Sequence, residues 1–479
     1  MLDEMLLECQ TLRVVTQSHA PSSSSKPTQS LQAEIARLLE LGIPAAGTQL
    51  AFMLLGVVDT AMLGHFDAHA LAAAGIGNMW HWAITSLAFG LVLGVEAIIS
   101  QGFGRGDSQA VALGLQRGLL VAAISSVPVC IVQALAEPAL LALGQIPEVA
   151  QDAGWYCILR LPSVPGFLFY IALRIYLQGR GIVWPAFWIS LLANVSNVAL
   201  NWILIYGNWG APELGLAGAA IASSITSLSL PLGLFLWAKY ARLFDGYSRA
   251  WDSRSFSVKG LKQVFSLGLP IGIQSALEGW AFAGASGIAG WLGITALASY
   301  QITLNVAALL FMVPLGLSIG ASTRVGNLLG AGDVAGARQS MAVSFGVAAA
   351  WSLVSGASLL LLGAFVPALF TDDVAVTQAV LASLPAVAGF QLFDATQAVG
   401  GGLLRAMGRP HAGAVINALG FFAVALPLGY YWGVKQGGGI EALWLSLACG
   451  LGLVAVGVGI WVAILSKKSL AELKVLATH

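Results

Sequence analysis

Long apolar runs separated by short polar connections fill this chain from residue 41 to residue 465. They cover 41–65, 70–98, 110–136, 149–178, 182–206 and 214–238, then 263–290, 294–321, 335–363, 374–404, 411–434 and 441–465. Each is near or above the ~20 residues a helix needs to cross a bilayer. The runs are apolar on every side, so periodicity does not choose between helix and strand. The solvent does: lipid offers a backbone no hydrogen bonds, and a run of this length is satisfied only as helix. The alternation that marks a membrane barrel is absent. The pattern predicts an all-α membrane protein with twelve transmembrane helices.

Composition narrows the class. Of 479 residues, 58% are apolar and 9% charged, too few charges to cover soluble domains, which carry roughly 25%. A soluble enzyme, a nucleic-acid binder and a disordered scaffold are excluded, and the lipid bilayer is the first expected partner. Lys+Arg and Asp+Glu balance at 22 each, which argues against a strongly acidic or basic partner. Their placement is uneven. Connections on one side hold Arg105, Arg180, the cluster from Lys239 to Lys262, Arg324, Arg338, Arg405 and Arg409. The opposite connections hold Lys435 beside Asp67, Glu137, Glu148, Glu213, Asp372, Asp373 and Glu441. The positive-inside rule then makes both termini cytoplasmic, as an even number of spans requires.

Residues 1–30 carry acids where a signal peptide has basic residues, and end in APSSSSKPTQS. They are expected to be a disordered cytoplasmic tail with no cleaved signal, and 467–479 a second tail. Cys9, Cys130, Cys157 and Cys449 show no ligand spacing and read as packing residues. His65, His69, His81 and His411 show none either, so no metal centre is expected.

The chain repeats itself. LGIP at 41–44 returns as LGLP at 267–270, an offset of 226 residues from Gly42 to Gly268. The same offset carries Ala70-Leu71-Ala72 onto Ala296-Leu297-Ala298, and Gly90, Gly94, Gly104, Gly106 and Asp107 onto Gly316, Gly320, Gly330, Gly332 and Asp333. Six runs per half give the halves one orientation, related by an axis along the membrane normal. The expected organisation is an N-lobe over 31–238, a polar cytoplasmic linker over 239–262 and a C-lobe over 263–466, two six-helix bundles facing each other.

Three acids break the repeat. Asp59 maps onto Ala285, Glu278 onto Phe52 and Asp394 onto Leu168. A charge in the bilayer core is expensive, so such acids usually face a cavity and act on something; the alternative is an ion pair, with Arg160 and Arg174 as candidates. Glu96 lies at the inner end of its run and reads as reaching the interface. Asn197 and Asn201 share a helix face and either support a cation near Asp59 or bond between helices. Gln301 and Asn305, at the same spacing, are expected to face Glu278.

These residues carry a resemblance. Val58-Asp59 through Gly64-His65, LNWILIYGNWGAPELGLAGAAIA from Leu200, LEGWAF from Leu277, STRVGNLLGAGD from Ser322 and FDATQAVGGGLLRAMGRPHAGAVIN from Phe393 resemble the multidrug and toxic compound extrusion (MATE) family. The likeness runs from about Leu38 to Leu465. It implies a V-shaped pair of lobes and cation coupling at Glu278 and Asp394, as in the NorM-like and eukaryotic branches. The proton-coupled DinF-like branch has Asn and Asp where this chain has Asn197 and Asn201, so here Asp59 is the one carboxylate of the N-lobe site.

The expected function is a secondary transporter, not an enzyme, that exports small-molecule organic cations by antiport with H⁺ or Na⁺. It needs no cofactor beyond that ion, with Na⁺ the one metal ion that Glu278 and Asp394 could hold. A monomer in the plasma (inner) membrane is expected. The alternatives within the superfamily are an organic-acid (citrate-like) exporter and a lipid-linked oligosaccharide flippase; the latter calls for an arginine cluster that no apolar run carries.

Overall fold

The computed structural model of the chain describes residues 30–247 and 251–468. The tails expected at 1–30 and 467–479 lie outside these residues, apart from Ser30, Lys467 and Lys468. Among the described residues the regular structure is helical throughout, without a strand. The first half contains α1 (Leu31–Phe66), α2 (Ala68–Leu93), α3 (Glu96–Gly104), α4 (Ser108–Ala134), α5 (Ala136–Ala142), α6 (Pro147–Leu159), α7 (Ser163–Gln178), α8 (Trp184–Tyr206) and α9 (Leu216–Tyr240). The second contains α10 (Val258–Trp291), α11 (Ile294–Gly330), α12 (Val334–Leu362), α13 (Val374–Ala406), α14 (Pro410–Ala418) and α15 (Gly439–Ser466).

Several boundaries differ from the sequence expectation for local physical reasons. The run 149–178 is two helices bent by 48° between α6 and α7. Pro162 caps α7 there and has no N–H to continue the ladder. The run 70–98 breaks at Gly94-Val95, between α2 and α3. The connection 239–262 is shorter than expected, because α9 runs to Tyr240 and α10 already begins at Val258. Within it Asp252 accepts from the Arg254 backbone and side chain and starts a turn of 3-10 helix; that guanidinium holds the half-buried Asp252 carboxyl below its usual range. After α14 the helix widens into π turns over Leu419–Ala425 and Gly429–Lys435, a local expansion often found beside functional sites.

Ten helical segments are long and apolar enough to cross a membrane, and eleven if α6 and α7 form one span. The α10 helix is outside that number although it has 34 residues. It carries Lys259, Lys262, Gln274 and Glu278, and those polar residues dilute its apolar character. Twelve spans were expected; the structure gives ten or eleven helices that meet this length and apolarity, with α10 beside them.

The halves meet along one seam, and the repeat builds it. A Cβ on Gly90 would overlap the backbone of Gly272, and one on its image Gly316 would overlap Ala46, which is 226 residues before Gly272. Gly94 lies against Val264 and Gly268, and its image Gly320 against their images Leu38 and Gly42. Gly104 lies against Asn327, and Gly330 against Gln101. The seam thus joins α1 to α11 and α2 to α10 backbone to backbone, which only residues lacking a side chain allow.

Two buried ion pairs cross the same seam without repeat images. Arg324 on α11 holds Glu34 on α1 with a pair of bonds at 3.0 and 2.8 Å. Arg405 on α13 holds Glu96 at the start of α3 at 3.1 Å. Glu96 is therefore not at an interface with lipid headgroups; it is 2% exposed and bound across the seam. Removing one partner of such a pair costs about 3–5 kcal/mol, because the other charge is left buried alone. The Gln101 amide adds a 2.7 Å bond to the Ala406 carbonyl.

Gly90→Ala should part the halves at this seam without unfolding either one. In a cysteine-free background, a cysteine replacing the fully buried Ser322 should then react with a thiol reagent severalfold faster. Gly56→Ala, where a Cβ would meet nothing within 4 Å, should leave the rate unchanged. Equal rates in the two variants would mean that these contacts do not hold the seam.

Candidate functional site

The three acids that lack repeat images lie beyond the seam, further along helices that take part in building it. From Gly42 at the seam to Asp59 is about 25 Å along α1, at ~1.5 Å per residue; from Gly268 to Glu278 is about 15 Å along α10. Among the described residues none of the three forms an ion pair. The candidate partners are engaged elsewhere: Arg160 donates to Asn78 Oδ1 and the Tyr156 hydroxyl, and Arg174 to Gln49 Oε1 at 2.8 Å.

In the first half Asp59 is 5% exposed and held by neutral donors. Its Oδ1 accepts from Asn201 Nδ2 at 2.7 Å and its Oδ2 from Ser223 Oγ at 2.6 Å. Asn201 is itself shared with Asn197 Oδ1 at 3.2 Å. The structure therefore brings Asn197 and Asn201, on α8, to Asp59 on α1, and adds Ser223 from α9. Ser223 gave no signal in the sequence, being one of many small residues in an apolar run.

In the second half Glu278 Oε1 accepts three amide bonds. They come from Gln274 at 3.2 Å, Gln397 at 2.9 Å and Asn417 at 2.6 Å. The donors come from α10, α13 and α14, so one oxygen gathers three helices. Asn417 stands two residues before the first π turn. Asp394 lies one turn before Gln397 on α13, is 5% exposed, and is near enough for the Glu278 charge to act on it. Glu278 itself is half-buried. Phe282, one turn along α10, packs on Phe421 and Phe390 with ring centroids 5.8 and 6.1 Å apart, giving the acids an aromatic flank.

Gln301 and Asn305 are not part of this cluster, contrary to expectation. Gln301 donates to Ser286 Oγ at 2.8 Å, and Asn305 donates back to the Gln301 carbonyl. Their four-residue spacing correctly put them on one face, but both are exposed, and Gln301 bonds Ser286 further along α10 instead of Glu278. Gln274, Gln397 and Asn417 take their place. Two of these had a faint signal: Gln274 is one turn before Glu278, and Gln397 is three residues after Asp394.

Of the histidines singled out in the sequence, His81 bonds Gln133 Oε1, His69 bonds Asp152 and His65 bonds the Ala61 carbonyl. Among the described residues no three His, Cys, Asp or Glu side chains gather as a metal site.

Two halves of like orientation, joined at one seam and each holding a buried acid without a basic partner, have the build of a two-repeat membrane transporter. The family described as MatE matches residues 44–203 and 270–431, and the chain belongs to it. It is 32% identical to "Probable multidrug resistance protein NorM" of Bradyrhizobium diazoefficiens, over 92% of this chain and 95% of that one. It is 33% identical to "Multidrug and toxin extrusion protein 1" of Xenopus tropicalis, over 87% of this chain and 72% of the relative. The fold matches the crystal structure of the eukaryotic MATE transporter AtDTX14 with a TM-score of 0.84 at 22% identity, covering 92% and 98% of the two chains. It also matches an outward-facing MATE family transporter with a TM-score of 0.82 at 19% identity, covering 94% and 100%. The chain is a membrane transporter, not an enzyme.

A hydrogen bond to a charged group contributes about 1.5–3 kcal/mol. Asn417→Leu, which strips the shortest donor from Glu278, should lower cation-coupled transport by about tenfold or more. Gln301→Ala should leave it within about twofold. Vesicle uptake assays compare the two at matched protein levels; a larger loss at Gln301 would return that residue to the site and remove Asn417.

Proposed function

We propose that this transporter exports organic cations in exchange for H⁺ or Na⁺, by opening its cleft alternately to the two sides of the membrane. The observation that carries the reading is Glu278, a half-buried carboxylate on α10, held by three amides and, among the described residues, by no ion pair. Amides stabilise a negative charge without cancelling it, so the acid keeps its attraction for a mobile cation. A proton, Na⁺ or an organic cation satisfies that attraction equally well in sign, and the three therefore compete. The Phe282 cluster adds apolar and cation–π attraction, which favours bulky lipophilic cations over small ones. The names of the curated relatives, multidrug resistance and multidrug and toxin extrusion proteins, support the same substrate class.

The driving force follows from charge. Inward movement of one positive charge yields about 2.3 kcal/mol per 100 mV, and each pH unit adds about 1.4 kcal/mol per proton. With the basic connections placed in the cytoplasm by the positive-inside rule, the seam closes the cytoplasmic side. The cleft beyond it then opens outward, the state in which drug leaves and the coupling cation enters. Both termini are cytoplasmic in this reading, and the protein works as a monomer in the plasma (inner) membrane. Asp59, in the other half, has a separate role in drug binding or gating.

Ethidium efflux from vesicles, with pH and Na⁺ gradients imposed separately, tests the reading. Wild type should respond to one gradient or both. Glu278→Gln keeps the side-chain shape and removes the charge, so folded protein should persist while gradient-driven efflux falls at least tenfold. Wild-type efflux rates in that variant would overturn the assignment.

A further inference from the structure

Arg405 touches both the seam and the surroundings of Glu278. It lies two turns after Gln397 on the same face of α13, with Gly401 between them. A Cβ on Gly401 would stand 3.7 Å from Gln274 Nε2 and 3.8 Å from Arg405 Nη1. The amide that serves Glu278 and the Arg405 guanidinium thus flank one bare position of the helix. From there Arg405 reaches across the seam to Glu96, with Ser318 Oγ at 3.3 Å as its other partner.

Glu96 also has a second cation near it. Arg174 lies on α7 in its own half, the helix whose end packs on α3 where Gly179 meets Ile99 and Ser100, and is 6% exposed with its Nε unpartnered among the described residues. Two acids and two arginines therefore occupy neighbouring positions, and they can pair in two ways. With the seam closed, Arg405 pairs with Glu96 and Glu278 is left to a mobile cation. With the seam parted, Glu96 stays in its half with Arg174, and Arg405 stays in its half with Glu278. Neither arrangement leaves a buried acid without a counter-charge, the condition that makes two alternatives close in free energy.

We propose that Arg405 is a tethered counter-charge that exchanges Glu96 for Glu278 when the cytoplasmic seam opens, and thereby expels the coupling cation into the cytoplasm. Arg405 acts on transport through Glu278, as a positioning residue. The inference rests on the reading of Glu278 as the coupling site. It goes beyond it by giving that site two affinities: high when Glu96 holds Arg405, low when Arg405 is released. By linkage, a bound cation then favours the closed seam to the same extent. Arg324, the other arginine of the seam, is held by Glu34 on α1.

Opposite effects of the two partners separate this role from that of a simple latch. The measurement is the concentration of Na⁺, and separately of protons, that half-displaces ethidium from full-length protein in nanodiscs, corrected for each variant's own ethidium affinity. Glu96→Gln frees Arg405 toward Glu278 and should weaken cation binding by roughly tenfold. Arg405→Gln removes the competing charge and should tighten it by a similar factor, and the double variant should match Arg405→Gln. Arg405→Lys, which keeps the charge, should stay near wild type. A latch with no link to the site predicts shifts of the same sign in Glu96→Gln and Arg405→Gln, and that result overturns the proposal. If Arg405→Gln does not fold, Glu96→Gln is compared with Glu34→Gln, which breaks the other ion pair; equal shifts also overturn it. Glu278→Gln is the control: if cations still displace ethidium from it as from wild type, the coupling-site reading itself has failed, a different result from same-sign shifts.

Discussion

A carboxylate inside a membrane-spanning helix must be satisfied by the protein, because lipid offers it nothing. Glu278 meets that demand by drawing one amide each from α10, α13 and α14 onto a single oxygen, and Asp59 meets it with Asn201 and Ser223. Donors of this kind hold a negative charge in place and leave it uncancelled. The rest of the architecture can be understood as a way to let an ion reach that charge from one side of the membrane at a time.

The seam supplies the one-sidedness. Its glycines let α1 approach α11 and α2 approach α10 backbone to backbone, and each contact has an image in the other half at the same offset. A seam made of such reciprocal contacts can open as a unit, since neither half has to change internally. The charged groups are asymmetric by contrast. Glu34–Arg324 and Glu96–Arg405 have no images, and neither does any of the three acids Asp59, Glu278 and Asp394. Symmetry builds the close contacts between the halves, and the charged groups are where the two halves depart from it.

Much of this was legible in the sequence, and the reasons are specific. The helices followed from run length and from the absence of hydrogen bonds in lipid. The seam glycines followed from the repeat, although nothing in the repeat said that they face one another. Asp59, Glu278 and Asp394 stood out because a charge in an apolar run is rare. The amides around Glu278 did not, since an Asn or Gln is common enough in such a run to carry little information. Gln301 and Asn305 show the limit: a spacing of four fixes a shared face, and only packing decides where that face points. Glu96–Arg405 joins residues 309 positions apart, and no local pattern could have paired them. The break at Pro162 was marked only by the proline itself, and nothing in the residues after Asn417 announced the π turns.

The central claim is that the two halves rock about the seam under control of the charge at Glu278. Spin labels at exposed positions 105 and 331 report the seam side, and labels at exposed positions 146 and 372 report the opposite side. Each pair is related by the repeat, so both distances lie across the axis between the halves. Measured by double electron–electron resonance in nanodiscs, the two distances should change in opposite directions when ethidium is exchanged for the coupling cation. In Glu278→Gln they should no longer respond to the cation. Distances that move in the same direction, or that respond to the cation as in wild type when Glu278 is neutral, would contradict the account.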